Sequence, residues 1–181
     1  MKDARFATAV TMTLLLAACG GGGDASGGGD GTDYCTSITG GSSQVTTTCN
    51  GCSVSNATSA ADGDLNSFAS MNASGGINLS GYTGTIRATA QSGIVYPAGN
   101  KAGAFLTWGD NSGLTIRTYL NGQLQETNPA GINNQTGAAG SPAAYYARVQ
   151  TTKPFNAVEV SAAGGSGELQ VFEICSDGGV Q

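Results

Sequence analysis

The sequence predicts an all-β fold, an antiparallel β-sandwich of about eight strands, and three observations predict it. Only 10% of the 181 residues are charged, while glycine alone supplies 30 and Ser, Thr, Asn and Ala dominate the rest. That composition lacks the Leu, Glu and Lys from which amphipathic helices are built. No window sustains a helical period of apolar residues, whereas several alternate with period two. Finally, LTIRTYL (114–120) runs into Asn121-Gly122 and then QLQET, which reads as a β-hairpin closed by a two-residue turn with positive φ at both positions.

Taken in order, the chain opens with Lys2 and Arg5, an apolar run from Phe6 to Leu16, and small residues up to Cys19. This is the layout of a secretory signal over 1–18, too short to span a bilayer permanently. Leu16-Ala17-Ala18-Cys19 resembles the lipobox of bacterial lipoproteins, which implies that Cys19 is lipidated and becomes the first mature residue. Gly20 at the next position gives no signal for inner-membrane retention, so the expected location is the outer membrane or cell surface. Residues 19–33 then read as a lipidated cysteine followed by a Gly-rich tether, with a reach on the order of 20 Å. A β-sandwich domain over 34–177 and a short tail at 178–181 complete the chain.

Within the domain, strands are expected at 83–91, 102–108, 114–120, 144–151, 156–162 and 168–174, with shorter ones near 45–48 and 67–71. Leu114, Ile116 and Leu120 should share one face with Thr118, leaving Thr115, Arg117 and Tyr119 on the other. Two connections are long, 72–82 and 128–143, and long loops on a rigid scaffold are common sites of binding.

The whole chain carries a formal charge of −5, and loss of Lys2, Asp3 and Arg5 with the signal makes it −6. Such a balance offers no footprint for nucleic acid or anionic lipid, so the membrane is reached through the lipid anchor only. Cys35, Cys49, Cys52 and Cys175 form an even set in an exported chain and imply two disulfides. Without histidine or a second C-x-x-C, Cys49-Asn50-Gly51-Cys52 is not a zinc site, and no βαβ pattern makes it a redox motif. Cys35 and Cys49 flank TSITGGSSQVTTT, whose Gly-Gly-Ser-Ser centre suggests a hairpin that would pair them. The alternative is a small Cys49–Cys52 ring with Cys35 joined to Cys175.

The absence of histidine removes Ser-His-Asp and Cys-His catalysis, and the chain is read as non-enzymatic. Trp108 could stack on a sugar ring, or it could alternate with Ala104 and Leu106 and close the core. Arg117 and Tyr119, on the polar side of the hairpin, are ordinary surface residues or a binding pair. Tyr145 and Tyr146 point to opposite faces, so one is expected in the core and the other exposed.

CSVSNATSAADGDLNSFAS resembles the opening of galactose-binding-like, jelly-roll β-sandwiches of the discoidin and carbohydrate-binding-module group, with Ala60, Asp62, Gly63, Asp64, Asn66, Ser67 and Phe68 at the matching positions. Gly167-Glu168-Leu169-Gln170-Val171-Phe172 is similar to their closing strand, and KPFNAVEVS to another of their strands. The resemblance implies one structural Ca2+, with Asp62, Asp64, Ser67 and Glu168 as candidate ligands, some through main-chain oxygens. Otherwise ADGDLNS is a cation-free turn held by its own side chains. An end-to-end disulfide like that of discoidin domains would join Cys52 to Cys175.

Two functions follow. One is a surface-anchored recognition or adhesion module whose partner is a glycan or a surface protein. The other is a structural accessory subunit of a cell-envelope assembly.

Overall fold

The computed structural model describes residues 36–38, 44–73, 82–108, 113–129, 131–133, 144–164 and 168–177. The expected signal peptide, Cys19, the tether, Cys35, the tail and most of both long connections lie outside the described residues.

Two antiparallel sheets face one another in a β-sandwich. The strands are β1 (Thr36–Ser37), β2 (Gln44–Asn50), β3 (Cys52–Ser55), β4 (Ala69–Ala73), β5 (Thr83–Thr89), β6 (Lys101–Thr107), β7 (Thr115–Leu120), β8 (Gln123–Pro129), β9 (Gly131–Asn133), β10 (Tyr145–Gln150), β11 (Ala157–Ala163) and β12 (Leu169–Ser176). A 3-10 helix, Ala57–Ala61, joins β3 to β4 across the end of the sandwich. One sheet runs β3-β4-β12-β6-β10-β9, with β1 also on β12, and the other runs β2-β5-β11-β7-β8. Twelve strands among the described residues replace the expected eight. Of the four additions, β8 is the return strand of the expected hairpin, and β1, β3 and β9 have only two to four residues, too few for alternation to show in sequence.

Alternation dictates the core. Ile86 and Ala88 of β5, Ile116 of β7, and Val158, Val160 and Ala162 of β11 meet Met71, Ala104, Leu106, Leu169, Val171 and Ile174 from the other sheet. Each large apolar side chain removed from water here stabilises the fold by about 1.5–3 kcal/mol. A second, smaller cluster of Phe105, Ala144, Tyr146, Phe172 and Cys175 lies outside the first, with Leu65 and Phe68 packed against it. It corrects the expectation for the tyrosine pair. Tyr146 is buried in the outer cluster and Tyr145 packs half-buried on the main core, where burial pushes its hydroxyl up to about 12.

The β7–β8 hairpin turns at Asn121 and Gly122, whose φ values of 50° and 80° are those the Asn-Gly sequence requires.

The disulfide pairing is corrected. Cys49 bonds Cys52 across a Cα separation of 5.3 Å, so neither the Cys35–Cys49 nor the Cys52–Cys175 bridge forms. The expected hairpin over 36–48 fails because β1 belongs to one sheet and β2 to the other. Between β2 and β3 the chain changes sheets through Asn50-Gly51, and the left-handed Gly51 (φ 75°) makes the link short enough for the ring. Cys175 is also disulfide-bonded, to a partner outside the described residues.

Candidate functional site

On the outer face of the five-stranded sheet the registers line up into three rows. The first is Gln44, Thr89, Ala157, Tyr119 and Leu124; the second is Thr46, Arg87, Glu159, Arg117 and Thr127; the third is Thr48, Thr85, Ser161, Thr115 and Pro129. The residues between them on β5 and β11 point into the core, so period-two alternation alone sets this face.

Glu159 is the centre of the middle row. Its Oε2 accepts hydrogen bonds from Arg87 Nε (2.9 Å) and Nη2 (2.6 Å), and its Oε1 from Arg117 Nη1 (3.0 Å) and Tyr119 Oη (3.1 Å). The Arg87 guanidinium lies 3.5 Å from the Tyr119 ring centroid. Glu159 is 3% exposed whereas Arg87 and Arg117 keep 29% and 33%, so the arginines roof the acid and still face water. Burial, and then the Glu159 charge, push the Tyr119 hydroxyl upward. Arg117 and Tyr119 thus both bond Glu159, and Tyr119 is buried rather than an ordinary surface residue; Arg87 and Glu159 are the members that sequence reasoning missed. The Val-Glu-Val pattern marks Glu159 as outward-facing; only the strand register shows which cations flank it.

Beside this network an open groove of about 420 Å3 is lined by Gln44, Thr89, Gln91, Ser92, Asn121 and Asn156, with Ala90 and Gly93. Asn156 Oδ1 accepts from Asn121 N (2.9 Å), and Asn156 Nδ2 donates to Asn121 Oδ1 (3.1 Å). The lining contains hydroxyls and amides but no carboxylate.

A second constellation forms around ADGDLNS. Asp62 Oδ1 accepts from Asp64 N (2.9 Å) while Asp62 Oδ2 accepts from Ser67 Oγ (2.7 Å), which also lies 3.3 Å from the Asp64 carbonyl. Asp64 Oδ1 accepts from Asn66 N and Nδ2, and the backbone contact first, then the amide, lower its pKa. Hence the Asp62 carboxylate, the Asp64 carbonyl and the Ser67 hydroxyl converge, joined by the hydrogen bonds of Ser67.

Glu168 does not join them. It accepts from Ser70 Oγ just before β12, roughly 16 Å along the chain from Glu173 at a rise of ~3.3 Å per residue. This corrects the fourth ligand. A bulge between Val171 and Glu173 re-aims Glu173 so that its Oε2 accepts from Gly63 N at 2.9 Å. Glu173 is 2% exposed, and its pKa rises to about 7, chiefly through burial. The Ser37 hydroxyl and the Gly63 N–H oppose the rise, and the Asp62 charge adds to it.

Trp108, the remaining candidate, is 6% exposed in the main core with its ring edge-on to Tyr82 at 6.3 Å between centroids. That burial corrects its ligand role. The indole is packing, not platform.

No protein-family model matches the chain. No curated protein matches it either. Among solved structures, the chain is similar to a module described as CBM32-3 from a family 31 glycoside hydrolase of Clostridium perfringens, at 13% identity and a TM-score of 0.39, over 72% of this chain and 91% of that one. A likeness at that level carries no inference about ligand or site, and the β-sandwich assignment rests on the two sheets themselves.

Proposed function

We propose that this chain is a surface-anchored lipoprotein whose galactose-binding-like sandwich is a non-catalytic module for glycan recognition. The observation that carries the reading is the outer face of the five-stranded sheet, where rows made mostly of Thr, Gln and Arg border an open groove lined by amides and hydroxyls. Such groups present the donors and acceptors that sugar hydroxyls need. A non-catalytic role is supported because the chain has no histidine and the groove no carboxylate, so neither a nucleophile–base pair nor an acid pair faces a ligand there.

The lipobox and tether support display at the outer membrane or cell surface. One structural Ca2+ belongs to the same reading, held by Asp62, the Asp64 main chain and Ser67, with Glu173 in place of Glu168. When bound, the ion would neutralise the carboxylates and brace the loop.

A glycan array probed with the full-length protein tests the reading. Saturable binding that weakens on Arg117→Gln or Thr89→Ala supports it. No binding to any glycan, with stoichiometric co-purification of one envelope protein, would replace it by the structural-subunit role.

A further inference from the structure

We propose that the ligand of this face is a carboxylated glycan, its acid group taken by Arg117 and Arg87 and its hydroxyls by the adjoining groove. The inference rests on the glycan-recognition reading and adds the ligand's charge.

An ionised carboxylate offers about four lone-pair sites. Glu159 fills all four, with two N–H donors from Arg87 on Oε2 and one donor each from Arg117 and Tyr119 on Oε1. It is also the one acid in the three rows, so two guanidiniums share a single negative charge. The face therefore carries one uncompensated positive charge on a chain whose total is −5. Elsewhere Lys101 sits 3.0 Å from Asp177, and Lys153 lies beside Glu126.

The free donors have a direction. A guanidinium carries five N–H groups, and the single bond from Nη1 to Glu159 leaves most of those on Arg117, the more exposed of the pair, without a partner among the described residues. A planar fork of that kind matches a carboxylate edge on. Stacking is unavailable, because the Tyr119 ring is already covered by the Arg87 guanidinium at 3.5 Å and Trp108 is in the core. A neutral sugar recognised through an aromatic platform would find none here. An acidic sugar finds a charge, and Gln44, Thr89 and Asn156 line the groove one row further along the sheet, where the hydroxyls of neighbouring residues of the glycan would lie.

The test compares matched probes on the full-length protein: galacturonate, glucuronate and sialate oligosaccharides against their methyl esters, by titration calorimetry at low and physiological salt. At least one acid should bind tenfold or more tightly than its ester at low salt, and the gap should shrink as salt rises, since partly exposed charges are screened over about 8–10 Å. Arg117→Gln should bring the acid-to-ester ratio close to one, and Arg117→Lys should restore part of it. Equal binding of acids and esters by the unaltered protein overturns the charge inference while leaving glycan recognition standing. Binding of neither overturns both. An Arg117→Gln variant that stays folded and keeps the tenfold preference overturns the site.

Discussion

Glu173 accepts a hydrogen bond from the backbone N–H of Gly63, 110 positions earlier, and so ties the closing strand to the loop that opens the domain. The bond satisfies part of a carboxylate that the fold holds almost out of water, and burial still dominates its titration.

The sign of the pH dependence follows. Glu173 titrates near 4.5 when unfolded and near 7 when folded, so its contribution is fully present below pH 4.5 and is lost as pH rises through about 7. The shift is worth about 3 kcal/mol at 1.36 kcal/mol per unit. In calcium-free buffer the melting temperature should fall between pH 5 and pH 8, and Glu173→Gln should flatten the slope. Exposed Asp64 acts in the opposite sense, losing its contribution as pH falls. A melting temperature that climbs from pH 5 to 8 without calcium would contradict the burial of Glu173.

Calcium should act on the same residues. A cation between Asp62, Ser67 and Glu173 would favour the ionised acids, so millimolar calcium should raise the melting temperature at pH 8 more than at pH 5. Asp62→Asn should remove the response and Glu168→Gln should leave it intact. An unchanged melting temperature across micromolar to millimolar calcium leaves ADGDLNS a turn held by Asp62, Asp64 and Ser67 alone.

How far the sequence carried this depends on whether a feature is local. The β7–β8 hairpin was legible because Asn121-Gly122 specifies its turn chemistry within two residues, and the inward face of β11 because Val158 and Val160 alternate. Glu159 and Arg87 are 72 positions apart, and only strand register makes them partners. The bulge that turns Glu173 to the loop leaves no composition signal, so the motif pointed to Glu168 instead. Likewise Gly-Gly-Ser-Ser reads as a hairpin turn, although the segments on either side belong to different sheets.

The anchor is tested at Cys19. Replacing it with serine should move the protein from membrane to soluble fractions, whereas a variant that still sediments after a high-salt wash would show that lipid is not what holds it.

For the remaining cysteines, Cys175 is disulfide-bonded and Cys49 and Cys52 are taken by each other, so with Cys19 reserved for lipid the expected partner of Cys175 is Cys35. Non-reducing peptide mapping should yield a Cys35–Cys175 linked pair and a separate Cys49–Cys52 loop. Serine at both 35 and 175 should cost a few kcal/mol, because the longer crosslink constrains most of the unfolded domain. A peptide joining Cys52 to Cys175 would overturn the observed ring.

Removing the acid at the centre of the outer face should cost more than removing either arginine. Glu159→Ala leaves two guanidiniums and the Tyr119 hydroxyl around a cavity with no anion, where breaking a fully buried pair typically costs about 3–5 kcal/mol. Arg87 and Arg117 are roughly a third exposed and can turn to water, which places the expected loss below that range, at about 2–3 kcal/mol. Arg117→Gln leaves Glu159 bonded to Arg87 through both Nε and Nη2 and should cost about 1 kcal/mol. Tyr119→Phe removes one bond to a charged acceptor and should fall between the two. Urea unfolding of the three variants gives the order directly. If Glu159→Ala proved no more destabilising than Arg117→Gln, the acid would not be the element that holds the two arginines on this face.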